Sequence, residues 1–324
     1  MTIASPFTAR HLTATLRASI RGDVVTPDDA SFPAATFGLT SSDGQPDLAI
    51  VAADANDVGT VLRLATRTGH RVVVDGARPV RAGSGTILLV TRLLARVVVD
   101  PVARTATIGM GASWRQVIDL TAPLGLAPVS ADPNTSPADQ LDPLSTLTRR
   151  LGLSIDHVRG FELVGQQGGQ IQVDALRDPG QFRSLRGGSG SGLVTAVTIK
   201  LFPAGRLYAG GLMFSAAAGP AVWRQWQDWS AGLPVTCSTT ARWLQLPNQP
   251  QVPADLRGQS VLLVRFAHIG DPADGGRLIA PLRATATPIL DTIGELPWSA
   301  VAGTGRGAAG SAAALGTTPA LTGG

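Results

Sequence analysis

The chain reads as an α+β protein in two parts: a larger first part that mixes helices with hairpins, and a smaller second part built on an antiparallel sheet with helices. Three observations point there. Short β-rich runs are interspersed with helical periodicity and with hairpin turns, and not in the strict strand–helix alternation of a doubly wound sheet. The 324 residues exceed the usual size of one domain. A second region starts near Arg206 and the composition shifts after Ala300, which divides the chain into residues 1–205, 206–300 and a Gly/Ala/Thr-rich tail, 301–324, expected to be disordered.

The elements follow in order. Residues 1–45 form a lead-in, with helical periodicity from Thr8 to Ile20 and turns at Gly22–Asp23 and Pro27–Asp29. Leu48–Val51 is a short apolar strand. Asp54 supplies cap chemistry, Val58, Val61, Leu62 and Ala65 share a helical face, and Gly69 ends the helix. Arg71–Val74 and Thr86–Val90 are strands. Val97–Val99 and Thr105–Ile108 bracket a turn and read as a hairpin. A helix carrying Trp114, Val117, Ile118 and Leu124 closes at Gly125. Residues 128–143 have no period and read as a loop, and Leu144, Leu147 and Leu151 suit a short helix. Phe161–Val164 and Gln170–Val173 flank a second hairpin turn, and Leu193–Phe202 is a β-rich run. In the second region Leu212–Phe214 and Ser260–Phe266 are strands. Trp223, Trp226 and Trp229 lie on one helix between them, a spacing that suits packing on a sheet better than stacking on a ligand.

Composition excludes several classes. Cys237 is the only cysteine, so an internal disulfide, a zinc knuckle and an iron–sulfur cluster are ruled out, and the histidines show no metal-ligand spacing. The net charge of +4 comes with scattered arginines and few aromatics, which argues against a nucleic-acid partner. No apolar run is long enough to span a membrane, and the start lacks an export pattern, so a cytoplasmic location is expected. There is no P-loop lysine motif, Gly109 and Gly111 lack the third glycine of a dinucleotide fingerprint, and the glycine run 187–192 does not form a nucleophile elbow. That run has two readings, a tight turn into a buried strand or a backbone that approaches a ligand closely.

Several segments, taken in order, carry a resemblance. They are residues 46–69; VVVDPVARTATIGMGASW (97–114); GLA (125–127); GLSIDHV (152–158); and LRGGSGSGLVT (185–195). In the second region LRG (256–258), GD (270–271) and PLR (281–283) add to them. Together they resemble the FAD-linked oxidoreductases with a vanillyl-alcohol-oxidase (PCMH-type) flavin domain, in the berberine-bridge-enzyme-like branch. The resemblance implies a two-part PCMH-type flavin domain over 1–205 and a partial substrate domain over 206–300. It also implies FAD as cofactor, a small-molecule substrate, and flavin contacts at Gly76, Ala77, Arg78, Arg81, Gly109, Gly111, Gly187, Gly188, Val194 and Thr195.

The departures from the family fall at the flavin. Where relatives read Arg-Gly-Gly-Gly-His, residues 75–79 read DGARP. Asp75 puts an anion toward the expected phosphates, Ala77 and Arg78 add side chains, and Pro79 stands where the family's linking histidine would be, so any flavin is held non-covalently. Arg78 or Arg81 can compensate as phosphate ligands. Residues 131–148, aligned with a second glycine-rich loop, contain no glycine and bring in Asp132, Asp139 and Asp142. Relatives also continue beyond the point matching Ala300. Two functions stay open on these grounds. One is an oxidoreductase with non-covalent FAD. The other is a flavin-free relative, either a cyclase-like non-redox catalyst or a pseudoenzyme that pairs with a partner. An uncompleted second region would leave an exposed sheet edge, which implies a homodimer or a separate C-terminal partner chain. For catalysis without flavin the candidates are Tyr208, Arg242, Arg265 and His268, with Arg265 and His268 expected to face different surroundings. For each of these a solvated strand face or a satisfied core polar group is the plainer role.

Overall fold

A computed structural model describes residues 6–37, 44–75, 82–129, 154–203, 207–250 and 252–297. The expected contacts at Gly76, Ala77, Arg78 and Arg81, together with Pro79, the loop through Asp132, Asp139 and Asp142, the helix at 144–151 and the tail, lie outside these residues. The chain divides into two compact units. One runs up to Val117 and includes His157–Lys200; the other includes the chain from Leu201 onward.

The first unit holds two sheets. One has the order β1-β2-β4-β3, from β1 (Asp23–Val25), β2 (Leu48–Val51), β3 (Arg71–Val74) and β4 (Thr86–Val90). Strands β2, β4 and β3 are parallel, and β1 pairs antiparallel with β2. The lead-in is therefore part of the fold: α1 (Pro6–Ser19) packs on the sheet through Leu12 and Leu16, and Asp23, expected in a turn, begins β1. A four-residue helix, α2 (Phe32–Ala35), follows and covers the other face with Phe32. Helix α3 (Ala55–Thr68) has the expected boundaries. The Asp54 carboxylate accepts from the Asn56 and Asp57 amides, Gly69 closes the helix at φ 75°, and Val58, Val61 and Ala65 bury against Ile50, Ile87 and Leu89.

Asp57 is 2% exposed, and its carboxylate accepts from the backbone N–H groups of Arg21, Gly22 and Ala53, each at 2.9 Å. The carboxylate thus ties the start of β1 to the end of β2.

The second sheet has the order β5-β6-β10-β8-β9, with β5 (Val97–Asp100), β6 (Thr105–Gly109), β8 (Val158–Val164), β9 (Gln170–Asp174) and the central β10 (Leu193–Lys200). Both expected hairpins form. Helix α4 (Trp114–Thr121) follows β6 and passes into a 3-10 turn at Ala122–Leu124. Helix α5 (Pro179–Arg186), not anticipated from the sequence, precedes β10 and is capped by Asp178.

The second unit carries the short pair β7 (Leu126–Ala127) and β11 (Phe202–Pro203), and an antiparallel sheet of order β13-β14-β12-β15. Its strands are β12 (Leu207–Ser215), β13 (Cys237–Gln245), β14 (Ser260–His268) and β15 (Leu290–Asp291), with β16 (Gly294–Leu296) also on β12. Helices α6 (Gly219–Ala231) and α7 (Pro272–Thr285) cover one face through a core of Leu212, Phe214, Val222, Val264, Phe266 and Ile279. The tryptophans of α6 pack as expected. Trp229 lies 5.8 Å from Phe266 and donates to the Leu278 carbonyl, while Trp226 donates to Thr239 Oγ1 at 3.0 Å.

Candidate functional site

Ligands on open parallel sheets sit outside the carboxyl ends of the strands. In the first unit those ends are Val51, Val74 and Val90, and the residues that follow the last two are Asp75 and Thr91. The Thr91 N–H and Thr91 hydroxyl both donate to Asp75 Oδ1, at 2.8 and 2.9 Å, and the Asp75 N–H donates to the Leu89 carbonyl at 3.0 Å. The Asp75 carboxylate therefore clamps the ends of β3 and β4. One of its oxygens is thus committed to Thr91.

Thr91 begins a segment that runs against Gly109 and Gly111. The Gly109 N–H donates to the Arg96 carbonyl at 2.8 Å and the Gly111 N–H to the Leu94 carbonyl at 3.1 Å. A Cβ at Gly109 would collide with the Leu94 carbonyl, and one at Gly111 with the Thr91 carbonyl. Both glycines are thus required by chain packing. Between them, the Met110 N–H donates to the Thr195 carbonyl at 3.0 Å, which joins this corner to β10. Thr195 is buried and its hydroxyl donates to the Glu162 carbonyl at 3.2 Å. The structure therefore brings Gly109, Gly111 and Thr195 together beside the Asp75–Thr91 clamp, with Val194 next along β10.

Gly187 and Gly188 end α5. The Gly188 N–H donates to the Leu185 carbonyl and the Ser189 N–H to the Ser184 carbonyl, with Gly188 left-handed at φ 76°. This is a Schellman cap, the turn reading of the glycine run. At Gly188 a side chain would meet nothing within 4 Å, so the backbone there faces open space.

Helix α4 starts from a reciprocal cap. The Gln116 N–H donates to Ser113 Oγ at 3.3 Å, and the Ser113 N–H donates to Gln116 Oε1 at 2.8 Å. Trp114, the first helical residue, is 1% exposed, and among the described residues its indole N–H has no acceptor. A buried donor left open in this way fits a ligand oxygen, and sequence reasoning did not single it out. The residues described at this corner otherwise supply backbone and one tied carboxylate.

In the second unit, the register Cys237↔His268↔Tyr208 places these side chains in one row across the helix-covered face. His268 is 4% exposed and its Nδ1 is 3.3 Å from Cys237 Sγ. The Tyr208 oxygen accepts from Arg283 at 3.1 Å, and Arg283 also forks onto both oxygens of Asp291 at 2.7 and 3.0 Å. Asp291 first, then Tyr208, hold the Arg283 guanidinium more firmly protonated than an ordinary arginine, against a smaller opposing effect of burial. Arg242 and Arg265 lie on the opposite face of the sheet, so Arg265 and His268 do face different surroundings. Elsewhere, a groove of about 490 Å³ between α1 and α3 is lined by Thr15, Ser19, Thr60, Arg63, Arg67 and Gln167, and contains none of the sequence candidates.

No family model matches the chain. It is 29% identical over 204 residues to (R)-6-hydroxynicotine oxidase of Paenarthrobacter nicotinovorans, covering 60% of this chain and 44% of that protein. It is 30% identical over 175 residues to the FAD-dependent monooxygenase FUP4 of Fusarium proliferatum, covering 51% and 34% respectively. The crystal structure of 6-hydroxy-D-nicotine oxidase from Arthrobacter nicotinovorans superposes with a TM-score of 0.73 at 22% identity, covering 93% of this chain and 65% of that one. The chain thus spans less than half the length of these curated relatives. It resembles the berberine-bridge-enzyme-like, vanillyl-alcohol-oxidase-type FAD oxidoreductases in sequence and in fold across most of its length.

Proposed function

We propose, from a chain that resembles this family, that it acts as an FAD-linked oxidoreductase which holds its flavin without a covalent bond and oxidises a small organic substrate. The reading divides the chain near residues 205 and 206 into a cofactor part and a substrate part. The redox chemistry would come from the isoalloxazine ring. The chain's own contribution is to bind and orient. Arg78 and Arg81 would meet the phosphates, with the backbone at Gly76 and Ala77. The open turn at Gly188 and the strand start at Val194–Thr195 would border the ring system, and the Trp114 indole N–H would donate to a ligand oxygen. Gly109 and Gly111 would act through the packing that shapes this corner.

What supports the reading is the resemblance in sequence and fold to FAD-linked relatives, and the Asp75–Thr91 clamp bears on the residue that opposes it. An aspartate in place of a cation argues against a diphosphate nearby, yet here an oxygen of that carboxylate takes two hydrogen bonds and serves the sheet. The test is the visible spectrum of the purified protein after incubation with excess FAD and desalting, followed by acid precipitation. A retained flavin spectrum whose colour passes to the supernatant is expected. A protein that takes up no FAD sinks the proposal.

The carboxylates Asp132, Asp139 and Asp142, in a stretch without glycine, favour one rival: a flavin-free relative, either a cyclase-like non-redox catalyst or a partner subunit. We also propose that β13 is covered in solution by a second copy or a separate C-terminal partner chain, since among the described residues no strand pairs with its outer edge. A monomeric mass by light scattering at working concentration, with no co-purifying chain, would exclude that pairing.

A further inference from the structure

Helices α1 and α3 pack together on one face of the first unit's parallel sheet, with Leu12 and Leu16 against Val58, Val61 and Ala65. A groove of about 490 Å³ opens between them, a volume in the range of small-molecule sites. The turn joining β8 to β9 adds Gln167 to its wall. That turn is seated on α3. Gly168, left-handed at φ 77°, comes so close to Gly59 that a Cβ on either would strike the other's carbonyl. The Gln170 side-chain amide also donates to Asn56 Oδ1 at 2.9 Å. Contacts within the chain therefore fix this wall.

Two kinds of polar group line the groove. The donors are Arg63 and Arg67, one helical turn apart on α3, with Ser19 at the end of α1 and the Gln167 amide. Arg63 is anchored. It donates to the Gly168 carbonyl at 3.4 Å and to Thr60 Oγ1 at 3.0 Å, which takes two of its five N–H groups. Arg67 is exposed, and among the described residues its guanidinium makes no hydrogen bond or ion pair. The same holds for the side chains of Ser19 and Gln167. None of the residues lining the groove is a carboxylate. Two like charges at this spacing repel, and an anion between them reverses that cost. The last turns of α1 and α3 bring partial negative charge nearby, but only about half a unit each against two full guanidinium charges.

The acceptors are threonines. The hydroxyls of Thr15, Thr60 and Thr66 each donate to the carbonyl four residues back in their own helix, at 2.8, 3.0 and 2.9 Å. With their hydrogens committed, these oxygens can only accept. The groove thus offers charged donors to an oxyanion and bare hydroxyl oxygens to a ligand's own O–H groups.

We propose that this groove binds a sugar or polyol phosphate. The phosphate sits on Arg67 and the remaining donors of Arg63, with Ser19 and Gln167 beside it, and the ligand's hydroxyls donate to Thr15 and Thr66. A guanidinium fork matches phosphate oxygens with two parallel bonds. The site does not rest on the flavin reading: Arg67 lies just before the start of β3, whereas that reading uses the far ends of β3 and β4.

The test is calorimetric titration of the full chain with glucose 6-phosphate, and with glucose, gluconate and inorganic phosphate for comparison. Glucose 6-phosphate is expected to bind at least about tenfold tighter than the other three, since a hydrogen bond to a charged group is worth about that factor or more. Arg67→Gln, at an exposed helix position, should weaken it about tenfold. Arg277→Gln, exposed in the second unit, should leave it unchanged. No binding of glucose 6-phosphate, glucose binding as tightly, or an Arg67→Gln variant that binds like the parent overturns the proposal. Inorganic phosphate or gluconate matching it with the same Arg67 dependence overturns the ligand class. Binding lost in Arg78→Gln and kept in Arg67→Gln assigns it to the cofactor side and overturns this site. A colourless protein that binds glucose 6-phosphate through Arg67 keeps this site and sinks the flavin reading alone, and a flavin-bearing protein that ignores it does the reverse.

Discussion

Asp57→Asn isolates the contact that holds the first unit's lead-in to its sheet. In the native arrangement Oδ2 accepts from the Gly22 and Ala53 amides and Oδ1 from the Arg21 amide, with the side chain 2% exposed. An asparagine keeps one oxygen, which can serve the Gly22 and Ala53 pair. Its NH₂ then faces the Arg21 N–H, so two donors meet where water has little access. Losing one charge-assisted bond and stranding a buried donor costs about 2–3 kcal/mol. In a unit of this size that corresponds to a fall in Tm of about 5–10 °C. Asp57→Ala, which loses all three bonds, should cost about 4–5 kcal/mol. Urea unfolding followed by circular dichroism measures both, and Asp54→Ala, which removes a surface cap, provides the scale at about 1 kcal/mol. If Asp57→Asn unfolds within about 0.5 kcal/mol of the parent, the range of ordinary surface changes, the amide cluster is not what joins β1 to β2 and the reasoning fails.

Further outcomes follow from single contacts. Trp226→Phe keeps the packing of α6 but removes the bond to Thr239, so a loss of about 1 kcal/mol is expected in chemical denaturation. Arg283→Ala frees Asp291, Tyr208 and the Ile293 carbonyl at once and should loosen β15 and β16, read as faster amide exchange at Thr292 and Ile293. The Thr26 amide, then its hydroxyl, holds the Asp29 carboxyl below its ordinary value of 3.8, and the Arg177 and Leu176 amides do the same for Asp174. Both shifts are downward, so the stability they contribute is present above about pH 4 and disappears as pH falls through the native values. Asp29→Asn should therefore unfold earlier than the parent at pH 7 and converge with it in acid. A gap that persists or widens on acidification would contradict the assignment. Gly109→Ala and Gly111→Ala should each cost more than about 3 kcal/mol whether or not a ligand is present, because a Cβ meets backbone that cannot yield.

Local chemistry made much of the first unit readable. Helix α3 announces itself through an Asp cap, a regular apolar face and a terminal glycine, and each does in the structure what its chemistry suggests. The missed elements lack such marks. Strand β13, CSTTARWLQ, is a sheet edge whose exposed positions carry Thr240 and Trp243, so no clean apolar alternation shows. Helix α7 contains Gly275, Gly276 and Pro281, which read as breakers. The structure uses Gly275 to bring the helix against the Tyr208 ring, where a Cβ would collide. Strand β1 has three residues and exists because Asp57, more than thirty positions later, gathers its leading amides.

What a candidate position does within the fold was not legible in the sequence, and the reason is visible in its glycines and its aspartate. A glycine in a sequence says only that something comes close, and not what. At Gly109 and Gly111 the close neighbour is the chain's own segment after β4, whereas at Gly188 there is open space beside a left-handed turn. At Gly188 the fold uses the left-handed backbone of the cap and leaves the space beside it open. Asp75 teaches the same lesson from the opposite side. Its charge suggested a conflict with phosphate, but its partner is Thr91, sixteen residues on, at the end of a strand that only the parallel register of β3 and β4 brings alongside. A residue that looks like a lost cofactor contact is thereby a clamp on the two strands whose ends would carry the cofactor. Removing it with Asp75→Ala should lower stability and flavin uptake together, while a pure charge conflict would make uptake rise.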